Sequence, residues 1–234
     1  MAQSKAHKYF NKFTGWARHE GTVSIEEMPA LEEFFVNPDR VPPDCRALTG
    51  ALFLDWFLLE RPLTCGRLTP LELFIKTNQR RFDKAEAAAY RGFKEDSRFG
   101  IYKVTALKKG EWLDMSPVPR GETCRVIDEK GAEDGEEGIF LIARLFRFQD
   151  HWALSSFVAR LPDEAGYHLE RVLQARGNAL KDEPIRHRSI LELFTPPMEW
   201  EKEGLHRVRA RLASILQRWG VADITATQVE DDIL

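Results

Sequence analysis

The sequence predicts an α+β fold, with a helical N-terminal part, a central small antiparallel β-barrel and a helical C-terminal part. Three observations carry this. Apolar residues recur at helical spacing up to about residue 96. Residues 97–162 then hold five short runs rich in β-branched and aromatic residues, separated by turn residues. Helical spacing returns beyond residue 163. The expected division is a helical region over 1–96, a five-stranded barrel over 97–162, a second helical region over 163–220 and an acidic tail over 221–234.

Residues 5–18 place Tyr9, Phe10, Phe13 and Trp16 at helical spacing among Lys5, Lys8 and Lys12, which predicts an amphipathic helix weakened by Gly15. One reading is an aromatic-basic arm for an anionic partner. The favoured reading packs the rings on the core and leaves the lysines in water, because such stripes are usually core contacts. A second short helix is expected over 26–35, before Pro38, Pro42 and Pro43 break the chain. Asp44 suits the N-cap of the next helix, which runs to about Leu59 and is ended by Pro62. That helix is apolar nearly all round, so it belongs at the centre of a core. Thr69-Pro70-Leu71-Glu72 reads as a capping box with proline at the first helical position, and Asp83 with Glu86 as a looser box.

The strands are expected in GIYKVTAL, EWLDM, ETCRVID, GIFLIARLFRF and HWALSSFVARL. Five short antiparallel strands with an alternating face close most readily into a small barrel. GAEDGEEG, 131–138, is polar enough to predict a mobile loop. Pro162-Asp163 restarts helix to near Gly177. A long helix ends at Gly220, with an apolar stripe of Leu205, Val208, Leu212, Ile215, Leu216 and Trp219.

No phosphate-binding glycine loop, dinucleotide fingerprint, nucleophile elbow, zinc-protease or EF-hand pattern is present. The three cysteines, Cys45, Cys65 and Cys124, form no CxxC pair, and the six histidines show no ligand-like pairing. No metal and no cofactor is therefore expected. His151, in a hairpin turn beside Trp152, is read as solvated. Asp55 is the unusual residue, since a carboxylate inside an apolar helix must be paired, protonated or at the surface. It is read as a buried structural group bonded to the backbone or to an arginine such as Arg61 or Arg67. The alternative is an acid or base with a perturbed pKa. Glu199-Glu201 with the proline-flanked aspartates makes a very weak metal-nuclease pattern, and a solvated charge run is favoured.

The net charge of −3 gives no global attraction to nucleic acid or to an anionic membrane. The ends differ, however. Lys5, Lys8, Lys12 and Arg18 have no acid among them, whereas Asp223, Glu230, Asp231 and Asp232 close the chain without a base. Arg207, Arg211 and Arg218 lie near one face of the last helix and could track a phosphate backbone. The N-terminus lacks a secretory apolar region, and no apolar run reaches the roughly 18 residues of a membrane span. The expectation is a cytoplasmic protein that does not engage membranes.

Phe53, Asp55, Trp56 and Phe57, then Pro62, then Thr69-Pro70-Leu71 carry a resemblance to a bacterial family without an established activity. Gly100-Ile101-Tyr102 with Val104, then Ala143-Arg144-Leu145, then Trp152 with Leu154-Ser155 continue it over about residues 50–158. Members of that family have an FxDWFLFDRP-like helical segment, a TPLE-like helix and a small β-domain ending in an ARLxP…WxLSG-like hairpin. Some are associated with a cysteine-rich SEC-C zinc motif. The present chain lacks that cysteine cluster, so zinc is not carried over. The resemblance implies the architecture and a bacterial cytosolic setting. The leading expectation of function is a non-enzymatic binding or adaptor protein with a protein partner. The alternatives are a nucleic-acid-associated protein using Lys5, Lys8, Lys12, Arg207, Arg211 and Arg218, or an enzyme with a site near Asp55.

Overall fold

Helix formation in the N-terminal part follows its local signals. The computed structural model describes residues 5–35, 46–118 and 121–161, together with Gly166, Tyr167, Glu170 and His187. Helices α1 (Lys5–His19), α2 (Gly21–Ser24), α3 (Glu27–Phe34), α4 (Arg46–Leu59), α5 (Pro70–Asn78) and α6 (Lys84–Glu95) come first. The caps of α5 and α6 are both closed capping boxes. Thr69 accepts from the Glu72 amide while Glu72 accepts from the Thr69 amide, and Asp83 and Glu86 do the same. Asp44, the expected cap of α4, lies outside the described residues.

The strands are β1 (Ser97–Lys108), β2 (Trp112–Val118), β3 (Cys124–Ile127), β4 (Phe140–Phe148), β5 (His151–Leu154) and β6 (Ala159–Arg160). They follow the order β1-β2-β3-β5-β4, and β4 returns to β1 to close a five-stranded barrel. Strand β6 pairs Leu141 and Ile142 of β4, on the side where β5 pairs residues 145–148, so β5 and β6 together make one interrupted strand. One pairing departs from the all-antiparallel expectation. Strands β3 and β5 run parallel, with Val126 beside Trp152. The reason is parity: five strands alternating in direction around a ring must leave one neighbouring pair pointing the same way.

Alternation sorts the barrel side chains into two cores. Tyr102, Val104, Leu113, Met115, Val126, Ala143, Leu145 and Leu154 fill the interior. On the outer face, Ile101, Phe140, Ile142, Phe146 and Phe148 pack against the helices. Phe10 and Phe13 of α1 are fully buried, so the aromatic stripe of this helix is core. Phe10 stacks on Phe146 at 5.8 Å, and Phe93 of α6 meets the same ring at 4.1 Å. Helix α6 lies so close to β4 that a Cβ on Gly92 would sit 2.1 Å from the Arg147 carbonyl oxygen.

The acidic stretch 131–138 is not simply a loop. A seventh helix, α7 (Glu129–Asp134), starts on the Asp128 side chain, which accepts from the Gly131 amide at 2.8 Å. Ala132 is fully buried in the barrel core, and Lys109 Nζ donates to the carbonyls of Glu133 and Gly135. A cap and one apolar anchor suffice because the segment closes the end of the barrel at β2. Most of 163–220 and all of 221–234 lie outside the described residues. Among the described residues no helix is long and apolar enough to cross a membrane.

Candidate functional site

Strand β4 reads FLIARLFRF, and its even positions face the helices. Phe140, Ile142, Phe146 and Phe148 follow that rule, and Arg144 stands among them as a buried cation. It answers Asp55, which α4 carries into the same space and which is 1 % exposed. Arg144 Nε donates to Asp55 Oδ2 at 2.9 Å, and Nη2 lies 2.8 Å from the same oxygen. Nη2 also donates to Glu60 Oε1, and Nη1 to Ser97 Oγ at 3.3 Å. The fourth charged member is His187, likewise 1 % exposed. Its Nε2 lies 2.7 Å from Asp55 Oδ2, its Nδ1 lies 3.4 Å from Glu60 Oε2, and its ring stacks on Phe99 at 3.6 Å.

The electrostatics follow from this pairing. Burial by itself would push the His187 pKa down, but hydrogen bonds and charge from Asp55 and Glu60 outweigh it and hold the pKa above its ordinary value. Burial would raise Glu60, yet His187 and Arg144 together bring it down to about 2. Burial disfavours the Arg144 cation as well, and again the two carboxylates prevail and raise its pKa. Two carboxylates thus face two cations. Such an arrangement ties α4 to β4 and to His187.

The partners of Asp55 are therefore Arg144 and His187, not Arg61 or Arg67. Arg61 is used elsewhere: it bonds Glu33 at 2.7 Å and Glu26 at 2.9 Å and ties α4 to α3. Arg67 sits in a left-handed turn at φ 56°. Of the basic residues singled out in α1, Lys8 is exposed, while Lys12 bonds Glu86 at 2.5 Å. Arg207, Arg211 and Arg218 lie outside the described residues, as do Glu199 and Glu201. Among the described residues no group of three or more His, Cys, Asp or Glu is placed to hold a metal.

Sequence reasoning missed Arg144, Glu60 and His187. A signal for the first was present, because an arginine at the centre of an apolar period-2 row demands a buried acid. His187 lies 132 residues from Asp55, and nothing local announces it.

Among the described residues the outer β1–β2–β3 face of the barrel has no helix packed on it. Arg125 of β3 and Thr105 of β1 are exposed, and Trp112, Asp114 and Ser116 of β2 are half-buried. Arg125 forms a two-bonded pair with Asp114, both contacts at 2.8 Å, and lies 3.9 Å above the Trp112 ring. Beside it runs a cleft of about 540 Å³ lined by Lys103, Thr105, Ser116, Glu137 and Glu170. Lys103 Nζ is held there by Glu170 at 2.5 Å and by the Phe140 and Tyr167 rings. Neither a family model, nor a curated protein, nor a solved structure matches the chain.

Proposed function

We propose that this chain is a non-catalytic binding protein that presents the outer β1–β2–β3 face of its barrel to a protein partner. The observation behind the reading is the contrast between the two barrel faces. The β1–β4 side is buried under α1 and α6, whereas the β2–β3 side carries a half-buried tryptophan under an exposed arginine. Tryptophan and arginine dominate the energetics of protein interfaces, because each brings a large rigid area together with a polar handle. The Asp114 pair holds the guanidinium in place before binding, which lowers the ordering cost. Asp55 belongs to the charge-paired cluster, and its role in this reading is structural. A reducing, cytoplasmic setting agrees with the free thiol of Cys65, which is exposed. The bacterial setting rests on the family resemblance alone.

The test is chemical cross-linking in the native host followed by mass spectrometry, comparing the wild type with Trp112→Ala/Arg125→Ala. The expected result is a defined partner cross-linked through residues on β1–β3 and lost in the double variant. A partner retained equally by the variant would mean that another surface is used.

A further inference from the structure

The inward row of the barrel breaks its own rule at one end. On β4 the inward positions are Leu141, Ala143 and Leu145, and the next is Arg147. On β1 the residue paired with Leu145 is Arg98, and on β5 the residue paired with Arg147 is Trp152. Trp152 packs on the interior core and lies beside Val126 of β3. Both guanidinia rest on its indole, Arg98 at 4.8 Å and Arg147 at 5.4 Å from the ring. Cys124, the first residue of β3, is buried beside them. Burial pushes its thiol pKa up, Arg98 and Arg147 pull it back, and the exposed Glu122 pushes it up again.

Arg147 is half-buried and Arg98 is exposed at the rim; the buried Arg144 and Arg61 each have carboxylate partners. Among the described residues Arg98 and Arg147 have none. The nearby acids are exposed and form no ion pair with either arginine: Asp150 bonds His151 Nδ1 at 3.1 Å, although its charge is also felt by Arg147, and Glu122 lies two residues before β3. Two unpaired cations sharing one ring repel each other, and bound anion relieves that repulsion. Stacking on the indole fixes the guanidinium planes, so their N–H forks are already oriented. One fork saturates the two oxygens of a carboxylate. A phosphate group, with additional oxygens, accepts from two forks at once.

We infer that this barrel mouth is a phosphate-binding site formed by Arg98, Arg147 and Trp152. The phosphate comes either from a free phosphorylated small molecule or from the backbone of a nucleic-acid strand. The site is distinct from the β2–β3 face proposed for a protein partner.

The experiment follows the arginine Nε–H NMR signals of the full-length wild-type chain at low ionic strength. Inorganic phosphate, thymidine monophosphate, a thymidylate dodecamer and polyglutamate are titrated separately. Phosphate-bearing probes should shift the Arg98 and Arg147 signals and leave Arg125 unmoved. A dodecamer that binds about tenfold or more tighter than the monophosphate identifies a strand, because further phosphates add contacts. Equal affinities identify a small molecule. Binding should be lost in Arg98→Gln/Arg147→Gln and kept in Arg125→Gln. Were the double variant unfolded, the wild-type shifts would still decide. No shift with any phosphate probe overturns the inference. So does polyglutamate acting as strongly as the dodecamer, or binding that survives in a folded double variant.

Discussion

Asp55 takes three donor contacts on Oδ2, while Oδ1 has no partner among the described residues. Removing its side chain leaves Arg144 and His187 as buried cations without their main counter-charge. Asp55→Ala is therefore expected to destabilise by about 3–5 kcal/mol, the usual cost of breaking a buried pair from one side. Asp55→Asn should cost nearly as much, because the lost partner is a charge and not merely an acceptor. Thermal and urea unfolding at neutral pH measure both, and an unchanged stability in either variant contradicts the buried-pair account. Protonation gives a second prediction at this scale. The folded pKa of His187 is raised, so its contribution is complete below the ordinary value of 6.5 and fades as pH rises through the folded value. Glu60 is depressed to about 2, so its contribution is complete above the ordinary 4.5 and is lost as pH falls toward that value. The melting difference between wild type and His187→Gln should thus be widest in mildly acidic solution and narrow as the medium becomes alkaline. A gap that widens with alkali would reverse the sign.

At the scale of elements, Gly92 sets propensity against packing. An exposed helical glycine replaced by alanine gains about 1 kcal/mol. Here the added Cβ would meet the backbone carbonyl of Arg147 at 2.1 Å, and a backbone group cannot swing aside. Gly92→Ala should therefore destabilise, by about 1–3 kcal/mol; a stabilised variant would show that α6 and β4 separate readily. Replacement of 131–138 by a glycine-serine linker should also destabilise, since it removes Ala132 and the helix that closes the barrel, and calorimetry would detect the lower melting point. The capping boxes and the strands were legible because their signals are local: a cap spans four residues, and a strand alternates within seven or eight. Helix α7 was not, since its acidic composition masked one cap and a single apolar anchor. The parallel β3–β5 closure is a property of the whole ring, and no single strand encodes it. Arg144 is 89 residues from Asp55 and Glu60 is five residues from it, so neither the pair nor its approach could be read from spacing.

Among the described residues, packing runs across residue 96. One apolar cluster runs from Ala6 to Leu161 and includes rings from α1, α4, α5, α6, β1 and β4. The ionic cluster crosses the same boundary and reaches further, joining Asp55 of α4 and Glu60, one residue past its end, to Arg144 of β4 and to His187. Two consequences follow for fragments. Residues 97–161 alone would expose Phe140, Ile142, Phe146 and Phe148 to water, at roughly 1.5–3 kcal/mol for each large side chain left uncovered, which a five-stranded barrel of this size cannot sustain. That fragment should give a collapsed amide NMR spectrum. Residues 1–161 keep both halves of the main core and the Asp55–Arg144 pair, so they should unfold in one cooperative transition, at a lower temperature than the full chain. They lack His187, so the extra stability expected of the full chain at about pH 5.5 relative to about pH 8 should be absent from them. Melting both chains at the two pH values separates the contributions. If 1–161 keeps the full pH response, the titrating group lies inside the helix–barrel unit and His187 is a passenger. If 97–161 folds unaided, the helices cover the barrel without being required by it.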